Sequence, residues 1–317
     1  MIGADTAAAS INNSSWYRAT IGLPRASRQR TLDSILARFR AEKPNVRKVR
    51  EAIILAGPPG SGKSTVLRMI LKEQASTEDE WRILDADRFK DYLLAEAIAD
   101  GSIDGHLAPQ EAVDAARSGE KVWPREKAAL VHEESSQLVK RARAVAIAEG
   151  ESIIIDGTLG NPISAAKLAE ELEAAGYTMT IIVVDAPRPV AEARADKRWS
   201  RGFIAAIDGT AAASESAELG GRWVPQGVVQ EMYPSGGDSS ICNVSATSMI
   251  ATSKNVTKVA RYHVARMDAA PEATDIAVRT ASGWNTTHYA SGDNPVKPTW
   301  ATDSPAAADA DPEEEAS

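Results

Sequence analysis

Ala52-Ile-Ile-Leu-Ala56 runs directly into Gly57-Pro58-Pro59-Gly60-Ser61-Gly62-Lys63-Ser64, and the reading of this stretch decides the fold. The first five residues are a short apolar, β-branched run of the kind buried on both faces of a parallel sheet. The next eight fit G-x-x-x-x-G-K-[ST] in full, and a helix is predicted over Ser64–Ser76. Between a strand and a helix, the glycines permit a loop whose N–H groups surround phosphate oxygens at the positive end of the helix. Lys63 is then placed to reach β- and γ-phosphates, and the Ser64 hydroxyl a Mg²⁺ ion. The expected contacts to a nucleoside triphosphate are Gly57, Gly60, Ser61, Gly62, Lys63, Ser64 and Thr65, with Ser64 the metal ligand.

Three further runs have the same texture: Trp81–Asp85, Ser152–Asp156 and Met179–Asp185. Helical stretches separate them, Glu126–Glu149 and Ser164–Ala175 the clearest, with Gly176 as a C-cap. Strand–helix alternation of this kind predicts an α/β fold with a doubly wound, mainly parallel sheet. The P-loop domain is expected over 49–236, with 202–221 a Gly/Ala/Ser-rich mobile connection. Residues 1–48 are read as a disordered start, to about residue 15, and a basic amphipathic helix, Thr31–Glu42, with Leu32, Ile35, Leu36 and Phe39 on one face. Such a helix can bind a membrane surface or an acidic partner, and at this length docking on the next domain is the favoured reading. Residues 237–294 are expected to form a small β-rich appendage, or late strands of the main sheet, through Thr257–Arg266, Asp275–Thr280 and Asn285–Ala290. From 295 to 317 the Pro/Ala/Asp/Glu composition reads as a solvated tail.

With 317 residues and 25% charged side chains the chain is of ordinary globular make-up, and its net charge of −8 argues against a general nucleic-acid binder. The lone Cys242 cannot form an internal disulfide, and the first residues lack the pattern of a signal peptide. The expected compartment is the cytoplasm, and no apolar run approaches the ~20 residues that span a bilayer.

No N-K-x-D motif marks a GTPase, and the third strand ends in one acid, Asp156, where a motor ATPase has a pair. A small-molecule kinase instead carries a carboxylate at the end of its second strand, where Asp85-Ala86-Asp87 stands. Two apart on an extended strand end, both would point to one side. One can accept the acceptor's proton while the other orients it or the metal. Arg194, Arg198, Arg201 and Arg222 are candidates to neutralise the γ-phosphoryl group, arginine being a permanent charge in a planar fork. His132, Ser135 and Ser136 open a helix with a polar face suited to a hydroxylated substrate, and no second His or Cys stands at ligand spacing beside His132. Cys242, His106, His263 and His288 are read as structural or exposed.

In order, Gly57–Thr65, Leu84-Asp-Ala-Asp-Arg-Phe-Lys90, Val131-His-Glu-Glu-Ser-Ser136, Ile154-Ile-Asp-Gly-Thr-Leu159 and Gly220-Gly-Arg-Trp-Val-Pro225 resemble the zeta-toxin family of bacterial toxin–antitoxin kinases. The likeness spans about residues 50 to 230. It implies a kinase that phosphorylates the 3′-hydroxyl of the amino sugar of UDP-N-acetylglucosamine with ATP and Mg²⁺, restrained by an antitoxin protein. Asp87 matches the family's base, Lys63 and Ser64 its phosphate and metal groups, and Arg198 and Arg222 its γ-phosphate arginines. The acceptor contacts implied are Asp85, His132, Ser135, Asp156 and Thr158. Asp156 stands where the prototype has Glu, and the prototype's His-Pro after Phe-Lys is replaced by Asp91-Tyr92. Other readings are a P-loop kinase of another hydroxyl (nucleotide, dinucleotide or antibiotic) and an ATP-binding interaction module without turnover.

Overall fold

The computed structural model describes residues 7–18, 20–209, 219–234 and 239–289. Its strands are β1 (Tyr17–Arg18), β2 (Leu23–Pro24), β3 (Glu51–Ala56), β4 (Arg82–Asp85), β5 (Ile153–Asp156), β6 (Thr178–Asp185), β7 (Val256–His263), β8 (Glu272–Thr280) and β9 (Gly283–His288). Its α-helices are α1 (Ala26–Ala41), α2 (Lys63–Glu73), α3 (Ala86–Ala99), α4 (Gln110–Arg117), α5 (His132–Ala148), α6 (Pro162–Ala174), α7 (Arg188–Asp208), α8 (Gln226–Gln230) and α9 (Ile241–Thr252). The main sheet runs β4-β5-β3-β6-β7-β8-β9. β4 to β7 are parallel, and β8 and β9 fold back antiparallel.

The doubly wound arrangement follows from β3, whose side chains are buried on both faces. Ala52, Ile54 and Ala56 join a core with residues of α1, α3, α5, α6 and α9. Ile53 and Leu55 join a second core with Val66, Leu67, Ile70 and Leu71 of α2. The alternation of side chains along a strand thus feeds two separate helical layers. Among the described residues no helix is long and apolar enough to cross a membrane.

The helix expected at Thr31–Glu42 is α1, and it docks on the domain: Leu32, Ile35 and Phe39 are buried, with the Phe39 ring 4.8 Å from that of Phe89. Its C-terminal end is held by buried Arg82, which donates to the carbonyls of Phe39, Arg40 and Lys43 and pairs with Glu151 at 2.9 Å. The described part of the start expected to be disordered is packed instead. Ala9 and Ser10 are buried, Trp16 stacks edge-on to His106, and the Tyr17 hydroxyl donates to Glu134 at 2.7 Å. Partners supplied by distant elements, rather than apolar content of its own, order that segment.

Of the two arrangements expected for the later strands, the structure has the second, late strands of the main sheet. β7 pairs along the free edge of β6, from Met179 opposite Val256 to Asp185 opposite His263, because Val259 and Ala260 complete cores that β6 has begun. Of the stretch 202–221 expected to be a mobile connection, the described residues 202–208 belong to α7, and Gly209 closes it in the left-handed region. Residues 1–6, 210–218 and the tail from 295 lie outside the described residues. The long helix foreseen over Glu126–Glu149 begins as a 3₁₀ segment, Pro124–Val131, and becomes α5 only at His132.

Glu134, in the first turn of α5, is fully buried and receives Arg28 Nε and Nη2 at 2.7 and 2.6 Å as well as the Tyr17 hydroxyl. Burial, then the neighbouring carboxylate, pushes the Tyr17 phenol far above its usual range. Removing one partner of such a pair strands the other charge in the core, so Glu134→Ala should lose about 3–5 kcal/mol in urea unfolding. A loss under about 1 kcal/mol would mean that water replaces the carboxylate.

Candidate active site

Asp85 and Asp156 end β4 and β5 side by side in register, and β3, beyond β5, ends in the loop Gly57–Gly62. All the groups below gather at this carboxyl end of the parallel strands. Gly57 is pressed so closely that a Cβ would lie 2.2 Å from the Val184 carbonyl oxygen, and a Cβ on Gly60 would lie 2.4 Å from that of Ala191. The loop is also tied by the Gly57 N–H to the Thr158 carbonyl at 3.1 Å. No side chain caps α2 at Gly62, and Ser64 and Thr65 are exposed in its first turn. The Ser61 hydroxyl is buried with no partner among the described residues. An uncapped helix start and an orphaned donor are what an anion would satisfy. Lys63 folds back over the loop, its Nζ donating to the carbonyls of Gly57 at 2.8 Å and Pro58 at 3.2 Å. Burial lowers its pKa, opposed by the charge of Asp156.

The two acids of Asp85-Ala-Asp87 do not share a strand end. Asp85 is the N-cap of α3, its Oδ1 accepting the Asp87 N–H at 2.8 Å, and Asp87 already belongs to the helix. That turn sends the two carboxylates into different surroundings. Burial first, then the charges of Asp87 and Asp156, push Asp85 up to about 7. Burial acts in the same sense on Asp87 but is outweighed by Arg222, Lys90 and Arg198, which hold it well below the usual carboxylate range. Asp156 is raised by burial and Asp87, against the pull of Lys63.

Arg222 reaches across to α3. Its Nη1 donates to Asp87 Oδ2 at 2.9 Å and its Nη2 to Asp91 Oδ2 at 3.0 Å, while Lys90 Nζ lies 3.1 Å from Asp87 Oδ1. Asp91 also takes a forked pair from Arg125 Nε and Nη2, both at 3.0 Å, and Arg125 Nη1 donates to the Gly220 carbonyl at 3.0 Å. The segment carrying Arg222 is seated by its glycines: a Cβ on Gly221 would lie 2.1 Å from the Trp199 carbonyl oxygen of α7, and one on Gly220 2.5 Å from the Trp123 side chain. Arg198, on α7, lies near the same acids and Arg222. Desolvation and the like charge of Arg222 lower its pKa, while Asp87, Asp85 and Asp156 oppose this.

Lys63, Asp85, Asp87, Asp156, Arg198 and Arg222 therefore come together. His132 stands at their margin, its pKa lowered by burial and by Lys90. Thr158 meets the loop through its backbone. Ser135 does not face the site: it is fully buried and its hydroxyl donates to the His132 carbonyl at 2.7 Å within α5. Arg201 is exposed on α7, and Arg194 lies beside Gly62. Sequence reading gave no role to Lys90, Asp91 and Arg125, although Lys90 ends, and Asp91 follows, the very motif that holds Asp87.

The sequence matches the zeta toxin family over residues 34–102 and 111–266, and the chain belongs to that family of kinase-like toxins. In fold it is similar to a chain of the AvrRxo1-ORF1:AvrRxo1-ORF2 complex, native, with a TM-score of 0.53 and 16% identity over 81% of this chain and 69% of that one. The same complex with sulphate ions gives a TM-score of 0.52 and 16% identity over 80% and 69%. A chain of the PezAT chromosomal toxin–antitoxin system of Streptococcus pneumoniae aligns over 74% of this chain and 75% of its own, at 17% identity and a TM-score of 0.45. Among curated proteins none matches the sequence.

Asp85 gives a pH test. With a folded pKa raised from 3.8 to about 7, the folded chain holds this proton more tightly than the unfolded one. The associated stability is complete below about pH 4 and lost as pH rises to about 7. Asp85→Asn keeps an N-cap acceptor and removes the dependence. Its thermal midpoint should exceed that of the wild type at about pH 8 and converge with it toward about pH 4; parallel curves would show that Asp85 ionises as freely as in the unfolded chain.

Proposed function

We propose that this chain is an ATP-dependent kinase of the 3′-hydroxyl of the amino sugar in UDP-N-acetylglucosamine, working in the cytoplasm as a toxin restrained by an antitoxin protein. The observation that carries the reading is Arg222 lodged on Asp87, opposite a P-loop lysine: a base, a γ-phosphate cation and a phosphate cradle at one end of one sheet. An interaction module without turnover has no use for such a base.

In this reading Lys63 neutralises the β- and γ-oxygens, and Arg198 and Arg222 take the charge that spreads over the γ-phosphoryl group in flight. Mg²⁺, held by Ser64 and the nucleotide, supplies Lewis-acid charge when bound. The acceptor oxygen forms its bond to Pγ as the bond from Pγ to the β,γ-bridging oxygen breaks, and ADP departs. Asp87, kept ionised by Arg222 and Lys90, orients the acceptor hydroxyl and receives its proton. Asp85, His132, Asp156 and Thr158 line the acceptor side. Asp156 is one methylene shorter than the Glu of the prototype, which favours as second reading a different hydroxyl: a nucleotide, a dinucleotide or an antibiotic.

Incubating the protein with ATP, Mg²⁺ and a panel of sugar nucleotides, dinucleotides and aminoglycoside- or chloramphenicol-type alcohols should give a mass gain of one phosphate on UDP-N-acetylglucosamine. Gain on another acceptor alone would select the second reading. Asp87→Asn should keep nucleotide binding and lose ~10²–10⁴-fold in kcat; unchanged turnover would remove Asp87 as the base. Gly221→Ala, which forces Arg222 away from its place, should lower kcat about 10²-fold with nucleotide affinity little changed. Equal losses in both would place Arg222 in ground-state binding instead.

A further inference from the structure

α3 turns two faces to the rest of the chain. Asp87, Lys90 and Asp91 form the face toward Arg222 and Arg125. Arg88, Phe89 and Tyr92 form another, and it meets the end of α1. There Glu42, the C-cap residue of α1, accepts from the Arg88 guanidinium and from the Tyr92 hydroxyl with one oxygen, Oε2. Arg88 Nε donates in turn to the Tyr92 hydroxyl at 3.0 Å, so the three side chains close a ring of hydrogen bonds. Arg38, one turn earlier on α1, lies 4.9 Å from the centre of the Tyr92 ring, and its Nε is 3.6 Å from the other Glu42 oxygen. Tyr92 is buried, and that burial, then the bond to Glu42, pushes its phenol up to about 12. Glu42 has a fixed base of its own, because Arg82 at the start of β4 holds the last carbonyls of α1. β4 runs through Asp85 into α3, so β4, α1 and α3 brace one another.

We propose that Glu42 is a positioning residue for phosphoryl transfer: through Arg88 and Tyr92 it sets the rotation of α3 about its axis, and with it the place of the Asp87 carboxylate. This rests on the reading of Asp87 as the base and names what places that base. A carboxylate about 5 Å from a helix axis moves about 1 Å for every ~10° of rotation. A misplacement of about 1 Å at a reacting group can cost ~10²-fold in rate. The core side of α3 does not fix rotation so finely, since Phe89, Leu93 and Leu94 are held by apolar burial, which has no direction. Charge-assisted hydrogen bonds do have one. Nor does the site face hold α3 still during turnover. Arg222 is the partner of Asp87 before the reaction and is claimed by the γ-phosphoryl group within it, so those contacts change when substrate binds. The ring at Glu42 touches no reacting group and persists. The basic amphipathic helix thereby has a task beyond covering the core.

Steady-state kinetics of the full chain, with ATP, Mg²⁺ and UDP-N-acetylglucosamine or whichever acceptor of the panel gains phosphate, test the assignment beside thermal unfolding. Glu42→Ala should lower kcat about 10- to 100-fold and leave KM for ATP within about twofold of the wild type. It should also raise the acid limb of kcat/KM, because Asp87 swings away from the cations that keep it ionised. Tyr92→Phe, which keeps the ring and removes one bond of three, should act in the same sense by a smaller factor. Leu32→Ala separates positioning from stability: it loosens α1 away from the ring, and should lower Tm while kcat stays as it was. The proposal is overturned if folded Glu42→Ala keeps the wild-type kcat and acid limb, or if Leu32→Ala loses as much kcat as Glu42→Ala, and in both cases the kinase reading stands. Failure of that reading looks different: the folded wild-type chain would transfer phosphate to no acceptor, and both proposals would fall.

Discussion

The site depends on one cation placed between two carboxylates. Arg222 joins Asp87 to Asp91, and Asp91 is joined in turn to Arg125, which holds the Gly220 carbonyl two residues before Arg222. The loop is closed: the segment that supplies the arginine is fixed by a partner of the residue the arginine binds. Without Arg222, Asp85, Asp87 and Asp156 would crowd together with Lys90, Lys63 and Arg198 as the remaining counter-charges. Like charges crowded in a low-dielectric cleft cannot all stay ionised, and the elevated Asp85 shows which of them yields. Arg222 thereby sorts the acids into one that is charged and one that holds its proton near neutrality.

That sorting needs precise approach, which explains why small residues gather where the elements meet. Gly220 and Gly221 let an irregular segment lie against Trp123 and the backbone of α7, where any Cβ would displace it. Gly57 and Gly60 do the same for the phosphate loop against β6 and α7. α7 is thus the common wall of the site, abutting the P-loop at Ala191 and Arg194 and the Arg222 segment at Trp199.

The α/β fold was legible because a strand covered on both faces must be apolar throughout, and Ile53–Leu55, Ile153–Ile155 and Ile181–Val184 leave no other reading. The P-loop was legible for the same reason of necessity, since its glycines are required by close contacts. What escaped were features whose cause lies far away in the chain. α3 was hidden because Asp85, a strand residue, doubles as its N-cap, so a turn of helix passed for a strand end. α9 is rich in Ser, Thr and Asn and shows no amphipathic period, yet Cys242, Ala246 and Met249 are buried against the sheet and α6. The packed start is held by Glu134, more than a hundred residues away. Asp91 and Arg125 were overlooked because each reads as an ordinary surface charge until its partner is known.

The contact between Gly57 and Val184 also bears on when the protein can act. β3 is made early, but its neighbours in the sheet, β5 and β6, are separated from it by about a hundred residues of chain. A nascent polypeptide that has exposed the whole phosphate motif therefore has no wall for Gly57 to lean on until β6 emerges, and no Arg222 until later still. Contacts of such long range form late. A chain still on the ribosome carries the signature of a phosphate loop without the contacts that shape it until β6 and the Arg222 segment have emerged.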